Sequence, residues 1–186
     1  MKQVAAALLL ATLPAFAQQR ELAAARAVME SARFCFLITV DESGQPHARL
    51  MEALAPDSGL VVWMGTLAGS RKVAQLRRNP RATLAYYDAK GPDYVTLLGK
   101  ARVVTGVAEK RRHWRPGWEA FFPGGPDGEN YVAIEFTPAR LELISNTHTI
   151  ASAPGSTGPL VLERRKEGWV LLPRPGFATP ASPVKP

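Results

Sequence analysis

Apolar and polar positions alternate along this chain in short runs divided by turn residues. Residues 33–40, Arg-Phe-Cys-Phe-Leu-Ile-Thr-Val, are rich in aromatic and β-branched side chains and predict a strand. The turn Asp41-Glu42-Ser43-Gly44 and the run 45–53 complete a hairpin. A second turn, Pro56-Asp57-Ser58-Gly59, leads into a strand at 60–65. Further strands are predicted at 82–88 and 94–105, joined through Ala89-Lys90-Gly91-Pro92, and at 131–136 and 140–145. Helices stand among them. Residues 21–32 hold good helix formers with no Gly or Pro, and 71–78 follow Ser70, a suitable N-cap, and stop before Asn79-Pro80. A third helix is predicted to start at 107 and run toward 118, before the Gly/Pro-rich loop 121–130.

Strands linked mainly by hairpins, with one short helix after the third, predict a mainly β, α+β protein: an antiparallel barrel with flanking helices. Residues 160–165 and 169–172, around Lys166-Glu167-Gly168, predict a further hairpin, and the proline-rich stretch 173–186 reads as a tail. The N-terminus reads differently again. Lys2, an apolar run over 4–13 and Ala15-Phe16-Ala17 have the order of a secretory signal with an A-x-A cleavage site, and Pro14 is expected to break a continuing helix. The expected plan is a signal peptide at 1–17, a barrel domain at 18–150, a hairpin extension at 151–172 and a tail at 173–186. The expected location is periplasmic or secreted. No apolar run reaches the ~20 residues of a membrane span.

Composition narrows the function classes. Apolar residues make up 46 % and charged residues 21 % of the 186, which excludes a disordered chain. The net charge of +7 is scattered, in small groups at Arg71/Lys72, Arg77/Arg78, 110–115 and 164–166. There is no basic helix, zinc-ligand spacing or aromatic-basic motif, so neither nucleic acid nor metal is an expected partner. A solvated basic surface and a phosphate-bearing small ligand remain. The single cysteine, Cys35, sits in an apolar strand, where it is expected to be inert.

One turn offers chemistry. Gly69-Ser70-Arg71-Lys72 lies between a strand and a helix, so the free N–H groups of the helix's first turn and its positive dipole end attract an anion. Ser70 adds a hydroxyl, Arg71 can grip a phosphate through two parallel hydrogen bonds, and Lys72 adds a charge. Arg49, on the hairpin strand, can close the site. Two cations in a helix's first turn are unfavourable for the helix and suit a bound anion.

The segments 45–51, 60–66, 70–72, 76–80 and 82–87 fall in one order at compact spacing: Gln-Pro-His-Ala-Arg-Leu-Met, Leu-Val-Val-Trp-Met-Gly-Thr, Ser-Arg-Lys, Leu-Arg-Arg-Asn-Pro and Ala-Thr-Leu-Ala-Tyr-Tyr. From about Glu21 to Ser145 the chain resembles the pyridoxamine 5′-phosphate oxidase-like family, and within it the flavin-binding general stress proteins. The resemblance implies an antiparallel split β-barrel, a homodimer and FMN in clefts at the subunit interface. It implies that Arg49, Leu50 and Met51 pass the flavin and that Thr66 lies beside its ring. Ser70, Arg71 and Lys72 match the phosphate turn, and Tyr94 matches a position that reaches the flavin from the second subunit. The C-terminal tryptophan and arginine segment of true pyridoxamine phosphate oxidases has no counterpart, and Leu143-Ile144-Ser145 stands where a tryptophan is common. Vitamin B6 oxidation is therefore not expected.

No side chain stands out as a general acid or base. An FMN-dependent oxidoreductase of the stress-protein type and a non-catalytic flavin- or haem-binding protein of the cell envelope both fit, with His148 as the axial ligand in the haem case. His47, His113 and His148 otherwise read as surface residues. Trp114, Trp118, Phe121 and Phe122 read as core or dimer packing, or as a lid over the ring. Glu135 and Glu142 alternate with apolar neighbours and read as solvent-facing.

Overall fold

In the computed structural model, which describes residues 4–150 and 158–173 with side chains from residue 18 on, the 33–40 run forms β1 (Phe34–Val40). Its alternation is realised directly: Cys35, Leu37 and Thr39 are buried, while Phe34 and Phe36 are exposed. β1 pairs antiparallel with β2 (Pro46–Glu52) around a turn in which the Asp41 carboxylate accepts the N–H groups of Ser43 and Gln45. β3 (Val62–Leu67) follows, then α2 (Arg71–Arg78), β4 (Arg81–Asp88) and β5 (Asp93–Val104). After α3 (Val107–Arg112) and two 3-10 turns come the long β6 (Tyr131–Ile144), β7 (Leu160–Arg165) and β8 (Gly168–Leu171).

The strand order β2-β1-β4-β5-β6-β7-β8, with β3 paired to the first half of β6, makes a split barrel. β2 and β3 are neighbours in sequence yet sit on opposite lips of the split, joined by the single bridge Ala53–Met64. The barrel is filled by residues such as Leu37, Met64, Leu84, Leu97, Ile134 and Phe136. Each fully buried side chain of this kind contributes about 1.5–3 kcal/mol. α1 (Val4–Ala32) presses Ala25, Val28 and Met29 onto the same core.

Several elements differ from the sequence expectation, each for a local reason. The predicted strands 131–136 and 140–145 are one strand, β6, that carries Pro138 through its middle. A bulge in β5 between Leu98 and Gly99 lies opposite, so the ladder is already interrupted where proline offers no N–H. The helix begun at 107 ends at Arg112, ahead of Pro116 and Gly117, whose φ of 94° is left-handed. β3 starts two residues late because the Asp57 carboxylate accepts the N–H groups of Gly59 and Val61 and prolongs the turn. The helical backbone of α1 passes through Pro14, where a break was expected. The 160–172 hairpin extends the barrel's own sheet and buries Leu160, Leu162 and Trp169 in the main core. Among the described residues no helix is long and apolar enough to cross a membrane. Residues 174–186 of the expected tail, and residues 151–157 of the segment expected to precede the hairpin, lie outside the described residues.

Candidate functional site

The split holds a cleft of about 540 Å³. Leu50, Met51 and Glu52 line it from β2 and Gly65, Thr66 and Leu67 from β3, with Trp118, Phe121 and Phe122 completing the wall. Edge strands carry backbone groups that no further strand pairs, so both lips of the cleft are polar in backbone and apolar in side chain.

At one end of this region begins α2. Its N-cap, Ser70, has extended backbone (φ −74°, ψ 149°) but makes no side-chain capping bond. The Ser70 Oγ is buried and has no hydrogen-bond partner. Arg49 donates through Nη1 to Thr39 Oγ1 and through Nη2 to Gln75 Oε1 at 3.2 Å. Thr39 in turn donates to Gln75 Oε1 at 2.6 Å. Lys72 Nζ donates to Thr66 Oγ1 at 2.9 Å and so ties α2 to β3.

The electrostatics here are one-sided. Burial and the neighbouring Arg71 push Arg49 below its ordinary pKa, and burial and Arg49 push Lys72 down. The first turn of α2 has no acidic residue, and none of the ion pairs among the described residues includes Arg49, Arg71 or Lys72. Three cations, a helix N-terminus and an orphaned hydroxyl converge on one turn, an arrangement that an anion satisfies on every count.

The other end is aromatic. A Cβ on Gly65 would stand 2.5 Å from the Trp118 ring, so only glycine lets that indole lie against β3. Trp114 packs edge-on to Tyr131 at 5.0 Å, and Trp118 and Phe122 belong to the same buried cluster. Trp118 Nε1 donates to Glu52 Oε2 at 2.9 Å, while Arg33 and Arg115 hold Glu52 Oε1 at 2.6 and 3.1 Å. Burial alone would raise the Glu52 carboxyl, but Trp118, Arg33 and Arg115 together bring it below the ordinary range. These three partners favour its carboxylate form.

Of the sequence-predicted residues, Leu50, Met51 and Thr66 line the cleft, whereas Arg49, Ser70, Arg71 and Lys72 lie outside its lining, linked to it by the Lys72–Thr66 bond. Arg49, Leu50 and Met51 lie on one lip, Thr66 on the other, and Ser70, Arg71 and Lys72 in the turn that follows. Leu50 is 60 % exposed at the cleft mouth, whereas Met51 is buried. Tyr94 does not line the cleft: it stands on the outer face of β5, opposite Tyr87 and Ile144. The aromatic group divides. Trp118 and Phe122 are both core and cleft wall, and Phe121, 69 % exposed, stands at the mouth.

None of the three histidines lines the cleft. His47 bonds Asp41, His113 stacks on Trp63 at 3.6 Å, and His148 Nδ1 lies 2.8 Å from Ser145 Oγ. Glu135 and Glu142 are not free in solvent but bonded to Arg102 and Arg140. Cys35 is buried beside Tyr86, and burial pushes its thiol up to about 12, which leaves it inert. Among the described residues no group of His, Cys, Asp and Glu has the makings of a metal site.

Sequence reasoning missed Thr39, Gln75, Glu52 and Arg33. For two of them a signal was present. Thr39 is the one polar residue in the buried phase of β1, and Gln75 lies one helical turn beyond Arg71.

Residues 22–145 match the family model described as pyridoxamine 5′-phosphate oxidase. General stress protein 26 of Bacillus subtilis (strain 168) is 29 % identical over 107 residues, 56 % of this chain and 74 % of that protein. Among solved structures, a Clostridium acetobutylicum protein related to general stress protein 26 superposes with a TM-score of 0.65 at 22 % identity, over 76 % of this chain and 93 % of its own. A pyridoxamine 5′-phosphate oxidase-related, FMN-binding protein of Nostoc punctiforme gives 0.57 at 16 % identity, over 84 % and 94 %. At these identities the structural likeness establishes the fold.

Proposed function

The chain belongs to the pyridoxamine 5′-phosphate oxidase family, and from that membership we propose that it is a homodimeric flavoprotein that holds FMN in the split between β2 and β3 and acts as an oxidoreductase. The observation that carries this reading is the buried, unpartnered Ser70 Oγ in the same turn as Arg71 and Lys72, with Arg49 beside them and, among the described residues, no carboxylate paired with any of the three cations. A phosphate monoester supplies the missing acceptor oxygens and the missing negative charge together.

In this reading Ser70, Arg71, Lys72 and Arg49 bind the phosphate. Thr39 and Gln75 orient the Arg49 guanidinium, and Lys72 bonds Thr66, which places the phosphate turn in register with β3. Leu50, Met51 and Thr66 flank the ring system. Trp118 and Phe122 form a packed wall that keeps water from one side. FMN, when bound, supplies hydride and single-electron chemistry. The ionised Glu52 orients Trp118.

The homodimer is supported by the outer face of the sheet. Phe34, Phe36, Leu50 and Tyr87 are each more than 40 % exposed and lie side by side across β2, β1 and β4. Such a contiguous apolar face suits a protein partner, and it runs up to the cleft mouth, where Phe34 and Leu50 are also lining residues. A second copy docked there brings Tyr94, which stands on the same face of β5, toward the cleft. Residues 1–17 serve as an export signal in this account, with the protein working in the periplasm or outside the cell.

A second reading, a protein that stores flavin without turning it over, is favoured by the lining of the cleft, where among the described residues Glu52 is the one acidic side chain and Trp118, Arg33 and Arg115 hold it below the ordinary carboxylate range. The test is direct. Purified protein loaded with FMN is expected to run as a yellow dimer on native mass spectrometry, with one FMN per chain, and to reoxidise faster with some acceptors than free FMN does. A chain that takes up no FMN removes the proposal, and a loaded dimer with no acceptor-dependent turnover leaves the storage reading.

A further inference from the structure

A second and larger cleft, about 780 Å³, lies where β5 and β6 bend past each other, and it shares no lining residue with the cleft of the split. The bend has an identifiable cause. At the bulge between Leu98 and Gly99, a Cβ on Gly99 would stand 2.2 Å from the Thr137 carbonyl oxygen and 2.8 Å from Pro138 Cα. Only glycine permits this approach, and Pro138 has no N–H to lose from the ladder there. Leu98, Ala101, Pro138 and Ala139 consequently line a concave surface with apolar atoms.

Its charged lining is unequal. Arg81, Lys100, Arg102, Arg140 and Arg164 all reach it, against one carboxylate, Glu135. Arg102 is bonded to Glu135, and Arg140 to Glu142 and Glu163. The other three have no acidic partner among the described residues. Arg81 bonds only Asn79, and Lys100 and Arg164 make no hydrogen bond or ion pair there.

We propose that this cleft is a second ligand site, for a small amphiphilic acid: a molecule with one anionic head group and an apolar body. Its volume lies within the range of small-molecule pockets, about 300–1,000 Å³. The head group meets the cations that the protein leaves unbalanced, and the body covers the apolar surface opened by the bulge. A simple inorganic anion makes no use of that surface. The apolar face proposed for the homodimer, Phe34, Phe36, Leu50 and Tyr87, contributes no residue to this cleft.

Isothermal titration of the purified, full-length chain with decanoate tests the site. Saturable binding of one decanoate per chain is expected, with butyrate and decyltrimethylammonium each at least about tenfold weaker, by loss of the body and of the head charge respectively. Lys100→Ser with Arg164→Ser is expected to weaken decanoate about tenfold or more while FMN content and thermal midpoint stay unchanged, and Leu98→Ser to weaken it independently. Decanoate that binds no better than decyltrimethylammonium, or equally to the double variant, overturns the proposal. Binding that appears only in a Phe36→Asp monomer shows that a second copy fills the cleft, and overturns it too.

Discussion

Thr39 Oγ1 lies 2.6 Å from Gln75 Oε1 and joins the buried phase of β1 to α2. Both side chains also bond Arg49, so a guanidinium that burial disfavours is fixed by two neutral groups and no carboxylate. A carboxylate would neutralise Arg49. Neutral partners orient it and leave its charge free for a ligand.

Thr39→Val and Gln75→Leu are therefore expected to act on FMN binding more than on folding. Hydrogen bonds to charged groups contribute about 1.5–3 kcal/mol, so each substitution is expected to weaken FMN by about 10- to 100-fold. Fluorescence titration against the unaltered chain reads this. Affinity unchanged in both variants means that Arg49 does not touch the phosphate.

Lys72 gives a pH signature. Its pKa is depressed in the folded protein, so between the folded value and the unfolded one near ~10.4 the unfolded chain binds more protons and stability rises with pH. Without FMN, the stability of the wild type relative to Lys72→Met is expected to be poorest below that window and to improve as pH climbs through it. With FMN the trend should flatten, because the phosphate favours charged Lys72. Urea midpoints of both proteins across the alkaline range measure this, and a difference that does not vary with pH contradicts the burial of Lys72 and its crowding by Arg49.

Gly65→Ala places a methyl where the Trp118 ring lies, 2.5 Å away. Overpacking of this kind costs about 1–3 kcal/mol, and displacing Trp118 also breaks its bond to Glu52. A lower thermal midpoint together with weaker flavin binding is expected. A fall in stability with flavin affinity retained separates Trp118 from the flavin wall.

Much of this fold is legible in the order of the residues themselves. The alternation in 33–40 states which residues of β1 face inward, and Ser70 with Asn79-Pro80 brackets α2, because strand periodicity and helix capping are local properties. What escapes a linear reading is relational. Pro138 looks like a strand break, and only the bulge opposite at Leu98 and Gly99 makes one continuous β6 possible. Gln75 looks like any exposed helical polar residue until α2 is laid on β1. Nor does the chain's order reveal that Glu52, at the end of the hairpin, is met by Trp118 from 66 residues away.

The central claim is that the Arg49, Ser70, Arg71 and Lys72 group holds a phosphate, and paired titrations with FMN and riboflavin test it most directly, since the two ligands differ only by that group. FMN is expected to bind on the order of 100-fold more tightly, and the difference should collapse in Arg71→Ala with Lys72→Ala while riboflavin affinity stays the same. Equal affinity for the two ligands in the unaltered chain contradicts the account.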